Sequence, residues 1–397
     1  MRILTISDVY FPRVNGVSTS IQTFQRELDA LGHRSVIIAP DYGHGSSDER
    51  NVLRVASRRV MFDPEDRMMR RRALTALLGD LRAQDFDLVH IQTPFVAHYA
   101  GVRLARRMGV PCVETYHTFF EEYLYNYVPF LPRGVLRAAA RRFSRTQCNA
   151  VDAVVAPSAA MRDRLSAYGV DSPMEVIPTG IDTAAFSGGD RARFRQAHGI
   201  EEQRPVLVYV GRVAHEKNIG FLLDMLPAVK ARVPDVLLVI AGEGPAAPAL
   251  KRKAAQLDLG NDVLFVGYLA RSGALQDCYR SGDAFVFASR TETQGLVLLE
   301  AMALGVPVVS TAVMGTAEVL DDGRGCLVAD EQVDDFAAKT TGLLLDADLR
   351  RRLGYEARAY AAEWSAPALA QRLCGFYRQV LARFGREAPD SATDPAR

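Results

Sequence analysis

Pro205-Val206-Leu207-Val208-Tyr209-Val210-Gly211-Arg212-Val213-Ala214-His215-Glu216-Lys217-Asn218 reads as a buried strand, a glycine turn and the entry to a helix over 218–231. An unbroken apolar, β-branched run suits a strand covered on both faces, as in a parallel sheet. The same unit recurs on either side. Before it, strands are expected at 2–7, 35–39, 88–91, 112–115, 153–156 and 175–177, with helical patterns at 18–31, 67–81, 97–108, 134–148 and 159–168. After it, strands are expected at 236–241, 263–266, 284–288, 308–310 and 326–328. Strand, helix, strand repeated in this way gives an α/β chain with parallel sheets covered by helices.

The pattern weakens between Pro178 and Arg204, where Gly, Asp, Ser and charged residues dominate. The expected organisation is a doubly wound, Rossmann-like domain over 1–180, a linker over 181–204 and a second such domain over 205–365. A terminal helix within 366–385 is expected to return to the first domain, and 386–397 to form a loose tail. Two facing domains of this class leave a cleft at the carboxyl ends of their sheets, where ligands of such folds bind. The linker and the segment near Trp364 are the expected hinges.

Nearly half of the 397 residues are hydrophobic and the formal net charge is +1, which excludes a disordered chain and a general nucleic-acid binder. The balance conceals an asymmetry. Residues 1–180 hold 23 Arg and no Lys against 19 Asp and Glu, and eight of those Arg fall between Gly101 and Ala150 against three Glu. The five cysteines are scattered without metal-ligand spacing, as expected of buried free thiols in a reducing compartment. The N-terminal residues are too short and polar a stretch for a signal peptide, and no run reaches transmembrane length.

Chemistry concentrates in Ser289-Arg290-Thr291-Glu292-Thr293-Gln294-Gly295-Leu296-Val297-Leu298-Leu299-Glu300. Gly295 opens a helix whose first amides lack internal partners and carry the positive end of the dipole, which makes an anion site. Glu292 and Glu300 flank it, Glu300 about a turn and a half inside the helix. Amides for a phosphate and carboxylates for hydroxyls describe a nucleotide sugar. Arg212 and Lys217, at a strand's carboxyl end, are two fixed cations suited to a diphosphate leaving group. Two solvated surface charges are the alternative for that pair. Ala241-Gly242-Glu243-Gly244-Pro245 reads as a ligand-lining turn, or as a strand-to-helix turn with Pro245 at the first helical position. The backbone at Tyr268 and Leu269 is placed to read a nucleobase edge.

In the first domain, the loop Asp8–Ser18 lacks the spacing of a dinucleotide fingerprint, which argues against a dehydrogenase. Gly16 is placed to bring backbone amides to the cleft, and His117 ends a strand at its rim, where function competes with a purely structural role. The stretch Phe119–Pro132 is strongly aromatic, and Arg133, Arg137, Arg141, Arg142 and Arg145 follow on one amphipathic helix. Aromatic and cationic surface together suit docking to anionic lipid; a covered loop and an ordinary solvated helix face are the alternative.

Together these motifs resemble the retaining GT-B glycosyltransferases of family 4, over nearly the whole chain. The likeness rests on Asn15-Gly16-Val17, His117, Val176–Asp182, Gly211-Arg212, Lys217 and the segment from Glu292 to Glu300. It implies that Arg212 and Lys217 hold the donor diphosphate, and that Glu300 accepts the ribose hydroxyls. It also implies that Glu292 and His117 flank the donor sugar, and that Gly295 and Leu296 offer amides to the phosphates. No bound metal is implied. Thr115-Tyr116-His117-Thr118, Glu122-Tyr123 and Gln294 look like the diacylglycerol glycosyltransferase branch, whose members work on lipid at the cytoplasmic membrane face. Met314-Gly315-Thr316 departs from the Gly-Gly pair that many relatives carry.

The function expected is transfer of a sugar, with retention, from a nucleoside-diphosphate sugar to an acceptor hydroxyl. A lipid such as diacylglycerol is the first acceptor considered, and a surface polysaccharide or another lipid-linked glycan the second. A nucleotide-sugar epimerase on the same fold and a non-catalytic lipid- or partner-binding scaffold are the rivals from other classes. The idle scaffold would have no use for both cations and both carboxylates.

Overall fold

The apolar run Arg2–Ile6 forms β1, an interior strand of a seven-stranded sheet in a computed structural model that describes residues 1–43, 51–59, 67–82, 84–119, 132–271 and 273–386. The chain divides into two compact units, Met1–Gly180 with the chain from Ala366 onward, and Ile181–Ser365. In the first, β1 is followed by α1 (Gly16–Ala30), β2 (Arg34–Pro40), β3 (Val52–Val55), β4 (Ser57–Arg59) and β5 (Arg67–Met69). Then come α2 (Arg71–Arg82), β6 (Leu88–Ile91), α3 (Val96–Met108) and β7 (Cys112–Thr115). The unit continues through α4 (Arg133–Cys148), β8 (Ala153–Ala156), α5 (Ala159–Ala167) and β9 (Met174–Val176). The sheet order is β3-β2-β1-β6-β7-β8-β9, every pairing parallel. All four residues of β6, β7 and β8 are buried, so His90, Glu114 and Thr115 lie in the interior beside the apolar residues that mark these strands.

The second unit carries α6 (Arg191–Ala197), β10 (Val206–Val210), a 3-10 turn at His215–Lys217, α7 (Ile219–Lys230) and β11 (Leu237–Ala241). It continues with α8 (Ala247–Gln256), β12 (Val263–Gly267), α9 (Ala274–Ser281), β13 (Ala284–Phe287), α10 (Leu296–Ala303) and β14 (Val308–Ser310). It closes with α11 (Gly315–Leu320), β15 (Cys326–Val328), α12 (Val333–Leu345) and α13 (Ala347–Glu363). Its six strands run parallel in the order β12-β11-β10-β13-β14-β15. In both units the strand order reverses beside the first strand, at β1/β6 and at β10/β13. Such reversals open the crevices in which doubly wound sheets bind ligands.

The last helix, α14 (Ala366–Arg383), belongs to the first unit. Its Leu373, Cys374, Phe376, Tyr377, Val380 and Leu381 share a core with Ile3, Leu88, Val113 and Val155 of the sheet. The contact is polar at one point: Tyr377 OH lies 2.6 Å from His90 Nδ1, and His90 Nε2 lies 2.7 Å from Thr115 Oγ1.

Four sequence expectations need correction. Residues 181–204, expected as a linker, fold into the second unit, with Ile181, Phe186, Phe194 and Ile200 in its main core. The polar composition there misleads because Asp190 caps α6, while the buried Arg195 guanidinium donates to the carbonyls of Ser281, Glu201, Glu202 and Arg204 at 2.8–2.9 Å. The helix expected from 67 begins at Arg71, because Arg67–Met69 pairs antiparallel with Ser57–Arg59. The short, charge-bearing strands β3 and β4 were not anticipated. Pro245 stands in a turn ahead of α8, whose first turn instead holds Pro248. All five cysteines are buried free thiols. Of the expected tail, 387–397 lie outside the described residues, as does the aromatic stretch from Phe120 to Leu131 with Glu122 and Tyr123.

Burial strips water from the charged form of His90, and His117 nearby adds to the effect, so its pKa falls to about 3. Between that value and the ordinary 6.5 the unfolded chain binds a proton that the folded chain does not, so stability falls as pH drops through 6.5. The contribution is about 2 kcal/mol between pH 7 and pH 5. The stability gap between wild type and His90→Gln, from urea unfolding, should therefore narrow by that amount over the interval. A gap independent of pH would contradict it.

Candidate functional site

At the carboxyl edge of the second sheet the loops bond to one another through main chain. Gly211 N donates to Ala241 O at 3.0 Å, Gly242 N to Gly267 O at 2.8 Å, and Val213 N to Glu243 O at 2.8 Å. The approach is so close that a Cβ at Gly242, where φ is 137°, would stand 1.9 Å from Gly211 O. Only glycine fits there.

This frame carries the cations. Arg212 follows Gly211, and its carbonyl accepts from the buried Tyr209 hydroxyl at 3.2 Å. Its Nη1 lies 3.8 Å from Glu216 Oε1. Lys217 closes the 3-10 turn and its ammonium donates to Glu292 Oε1, joining the β10 loop to the β13 loop across the reversal of strand order. Both partners are largely buried, at 20% and 17% side-chain exposure, so the pair is poorly screened by solvent.

Gly295 caps α10 at φ 93°, a left-handed conformation that a side chain would strain, and its carbonyl accepts from Leu298 N at 3.0 Å, which puts Leu296 and Val297 at the helix start, where amides lack helical partners. The next turn is fastened to this one: Gly315 N donates to Glu292 O at 2.9 Å. Beside it Met314, where relatives were expected to have glycine, takes φ 56° and ψ −129°, a costly conformation for a side-chain-bearing residue.

Glu300, one turn into α10, is 2% exposed. Arg271 Nη2 donates to its Oε1 at 2.6 Å and Tyr279 OH to its Oε2 at 2.8 Å. The two carboxylates expected to face one ligand thus hold separate partners in this structure, Glu292 with Lys217 and Glu300 with Arg271 and Tyr279. Burial acts to lower the Arg271 pKa, but the Glu300 charge and hydrogen bond prevail and hold it above the usual value. Burial, reinforced by Glu300, pushes the Tyr279 hydroxyl well up, so it stays a neutral donor. Sequence reading missed both residues. Arg271 was within reach of it, three residues beyond Tyr268 on the loop leaving β12; Tyr279 lies inside α9 and reads as core. Tyr268 itself is 53% exposed at that strand end, and Leu269 is half-buried.

In the first unit, Gly16 is the exposed first residue of α1, which Asn15 caps in a reciprocal box with Ser18 at 2.9 Å each way. His117 lies two residues beyond β7, its Nε2 2.9 Å from Gln92 Oε1 at the end of β6. A neutral ring in that bond donates from Nε2 and leaves Nδ1 as an acceptor. Desolvation lowers its pKa to about 4, so neutral is the form present at physiological pH.

Comparison with known proteins agrees with this geometry. Residues 190–360 match the family described as glycosyl transferases group 1, and residues 14–185 match glycosyltransferase family 4. The chain is 34% identical over 321 residues to the alpha-monoglucosyldiacylglycerol synthase of Streptococcus pneumoniae, covering 78% of this chain and 71% of that protein. It is 31% identical to a GDP-mannose-dependent alpha-mannosyltransferase of Mycolicibacterium smegmatis, covering 96% and 98%. Anabaena HepE, solved in complex with UDP and glucose, shares the fold with a TM-score of 0.77 over 95% of this chain and 99% of that one, at 17% identity. Two parallel sheets of seven and six strands, a cation–carboxylate pair at the β10/β13 reversal and these likenesses lead to one conclusion: the chain belongs to glycosyltransferase family 4, as a retaining hexosyltransferase of GT-B fold with a nucleotide-sugar donor.

Proposed function

We propose that this transferase moves its hexose onto a lipid hydroxyl, diacylglycerol or a related glycerolipid, while docked on the anionic cytoplasmic face of a membrane. The observation that carries the reading is the outer face of α4. Arg137, Arg141, Arg142 and Arg145 are all exposed there, with Val135 57% exposed beside them, while Leu136, Ala140 and Ser144 face inward. Each cation near an anionic surface contributes about 1 kcal/mol to docking. Among the described residues no helix is long and apolar enough to cross a membrane, so contact through such a face is the mode of attachment proposed. The likeness to the pneumococcal alpha-monoglucosyldiacylglycerol synthase supports the same acceptor class.

The roles follow from charge. As the bond between sugar and diphosphate breaks, negative charge grows on the leaving group, and Arg212, Lys217 and the Gly295 helix start stabilise it. A diphosphate competes with Glu292 for Lys217, which releases a carboxylate toward the sugar as the cation changes partner. Glu300 accepts the ribose hydroxyls, and the backbone at Tyr268 and Leu269 reads the base. His117 serves the sugar as a neutral hydrogen-bonding group, and Gly16 as a close-approach backbone. The acceptor hydroxyl enters on the face from which the diphosphate departs, which gives retention without requiring a covalent intermediate.

Lys217→Ala should lower kcat by about 10²- to 10³-fold with a smaller change in KM. Glu300→Ala should raise the donor KM by about 10-fold or more. Steady-state kinetics near wild type in both would remove these residues from the site.

The acceptor is tested by nucleotide release from UDP- and GDP-hexoses, with and without anionic vesicles containing diacylglycerol. Lipid-dependent release with glycolipid formed supports the reading. Turnover only with added glycans would replace the acceptor, and an altered sugar nucleotide released without acceptor consumption would mark an epimerase. Arg137→Glu with Arg142→Glu should weaken vesicle binding about 10-fold or more without changing nucleotide affinity. Unchanged sedimentation with vesicles would remove α4 from the docking surface.

A further inference from the structure

Arg271 and Tyr279 have no place in the chemistry described so far, yet between them they engage both oxygens of Glu300. A carboxylate offers about four lone-pair sites, so each oxygen retains acceptor capacity beyond these bonds. Arg271 is itself held. Its carbonyl accepts from Gln276 Nε2 at 2.8 Å, and the same amide's Oε1 accepts from Gly273 N at 3.0 Å. Its guanidinium lies 5.3 Å from the centre of the Phe186 ring, and that ring meets Tyr279 edge to face at 6.4 Å. The result is a carboxylate fixed in orientation by a fixed cation and a fixed hydroxyl. Neutralising a buried charge would need only the cation; bonds to opposite oxygens also set the carboxylate plane.

A vicinal diol is recognised by acceptors of set direction, and a carboxylate free to turn about its last bond would forfeit part of that selectivity. Arg271 also stands on the loop that presents Tyr268 and Leu269 to the base, so one loop would govern both base and ribose. We propose that Arg271 is a positioning residue for donor selection, which with Tyr279 holds Glu300 so that its remaining lone pairs accept the 2′- and 3′-hydroxyls of a ribonucleoside diphosphate. This rests on Glu300 as the ribose acceptor.

The test is calorimetric binding of UDP, GDP, their 2′,3′-dideoxy counterparts and inorganic pyrophosphate to wild type, Arg271→Met, Arg271→Lys and Tyr279→Phe. Wild type should prefer the ribonucleotide that it binds by about 10- to 100-fold, the span of one or two charge-assisted hydrogen bonds. In Arg271→Met the preference should fall to within about 3-fold, in Arg271→Lys most of it should return, and pyrophosphate should bind all four proteins alike. Full preference retained in Arg271→Met would overturn the assignment of Arg271 while leaving Glu300 in place. Wild type without any preference would overturn the ribose role of Glu300 and this proposal with it. Equal loss for every probe, pyrophosphate included, would make Arg271 a general structural support and also overturn it. Should Arg271→Met fail to fold, Arg271→Gln and Tyr279→Phe are read by the same ratio.

Discussion

Main-chain contact between neighbouring strand-end loops is the constraint on which the second unit depends. Gly211 O occupies the space that any Cβ at position 242 would need. Because Gly242 has none, β10, β11 and β12 end in loops bonded to one another, Gly211 to Ala241 and Gly242 to Gly267. Side chains set on such a frame inherit its rigidity. Arg212 and Tyr268 are placed by backbone hydrogen bonds rather than by flexible loops, and a rigid base is what a preorganised site requires. The strain at Met314 belongs to the same region, where its turn is fastened to Glu292 through Gly315.

Charges on this frame are balanced in pairs. Lys217 with Glu292 and Arg271 with Glu300 each combine a cation on one loop with a carboxylate delivered by the β13–α10 segment. A largely buried lone charge would be expensive, so pairing lets the sequence keep each of these groups out of bulk water. Pairing also sets a threshold. An anion that takes Lys217 must displace Glu292 from it, and under the roles proposed above a diphosphate, with two or more negative charges, does so more readily than a single carboxylate.

The alternation of apolar runs and amphipathic stretches made the doubly wound class legible, because strands buried on both faces are mostly apolar, with isolated polar residues such as His90 and Glu114 among them. Lys217, Glu292 and Glu300 stood out in the sequence as charged residues in segments that follow strands, and the structure pairs each with a partner of opposite charge. What escaped was long-range or compensated. The stretch 181–204 looks like a linker since its burial runs through Arg195, a charged residue satisfied entirely by carbonyls and one distant aspartate. Tyr279 escaped because its hydroxyl matters only once α9 is laid against α10. Strands β3 and β4 escaped because their pairing partners, not their own composition, make them strands.

In the first unit two histidines are held neutral, the buried His90 between Thr115 and Tyr377 and the half-buried His117 against Gln92, while arginines are displayed on the outside of α4. A neutral ring donates through Nε2 to Gln92 and keeps Nδ1 as an acceptor, a capacity that a doubly protonated ring would lose. Desolvation holds His117 in that form, while the arginines of α4 keep their charge where water reaches it, so burial and exposure divide neutral and cationic groups within one unit.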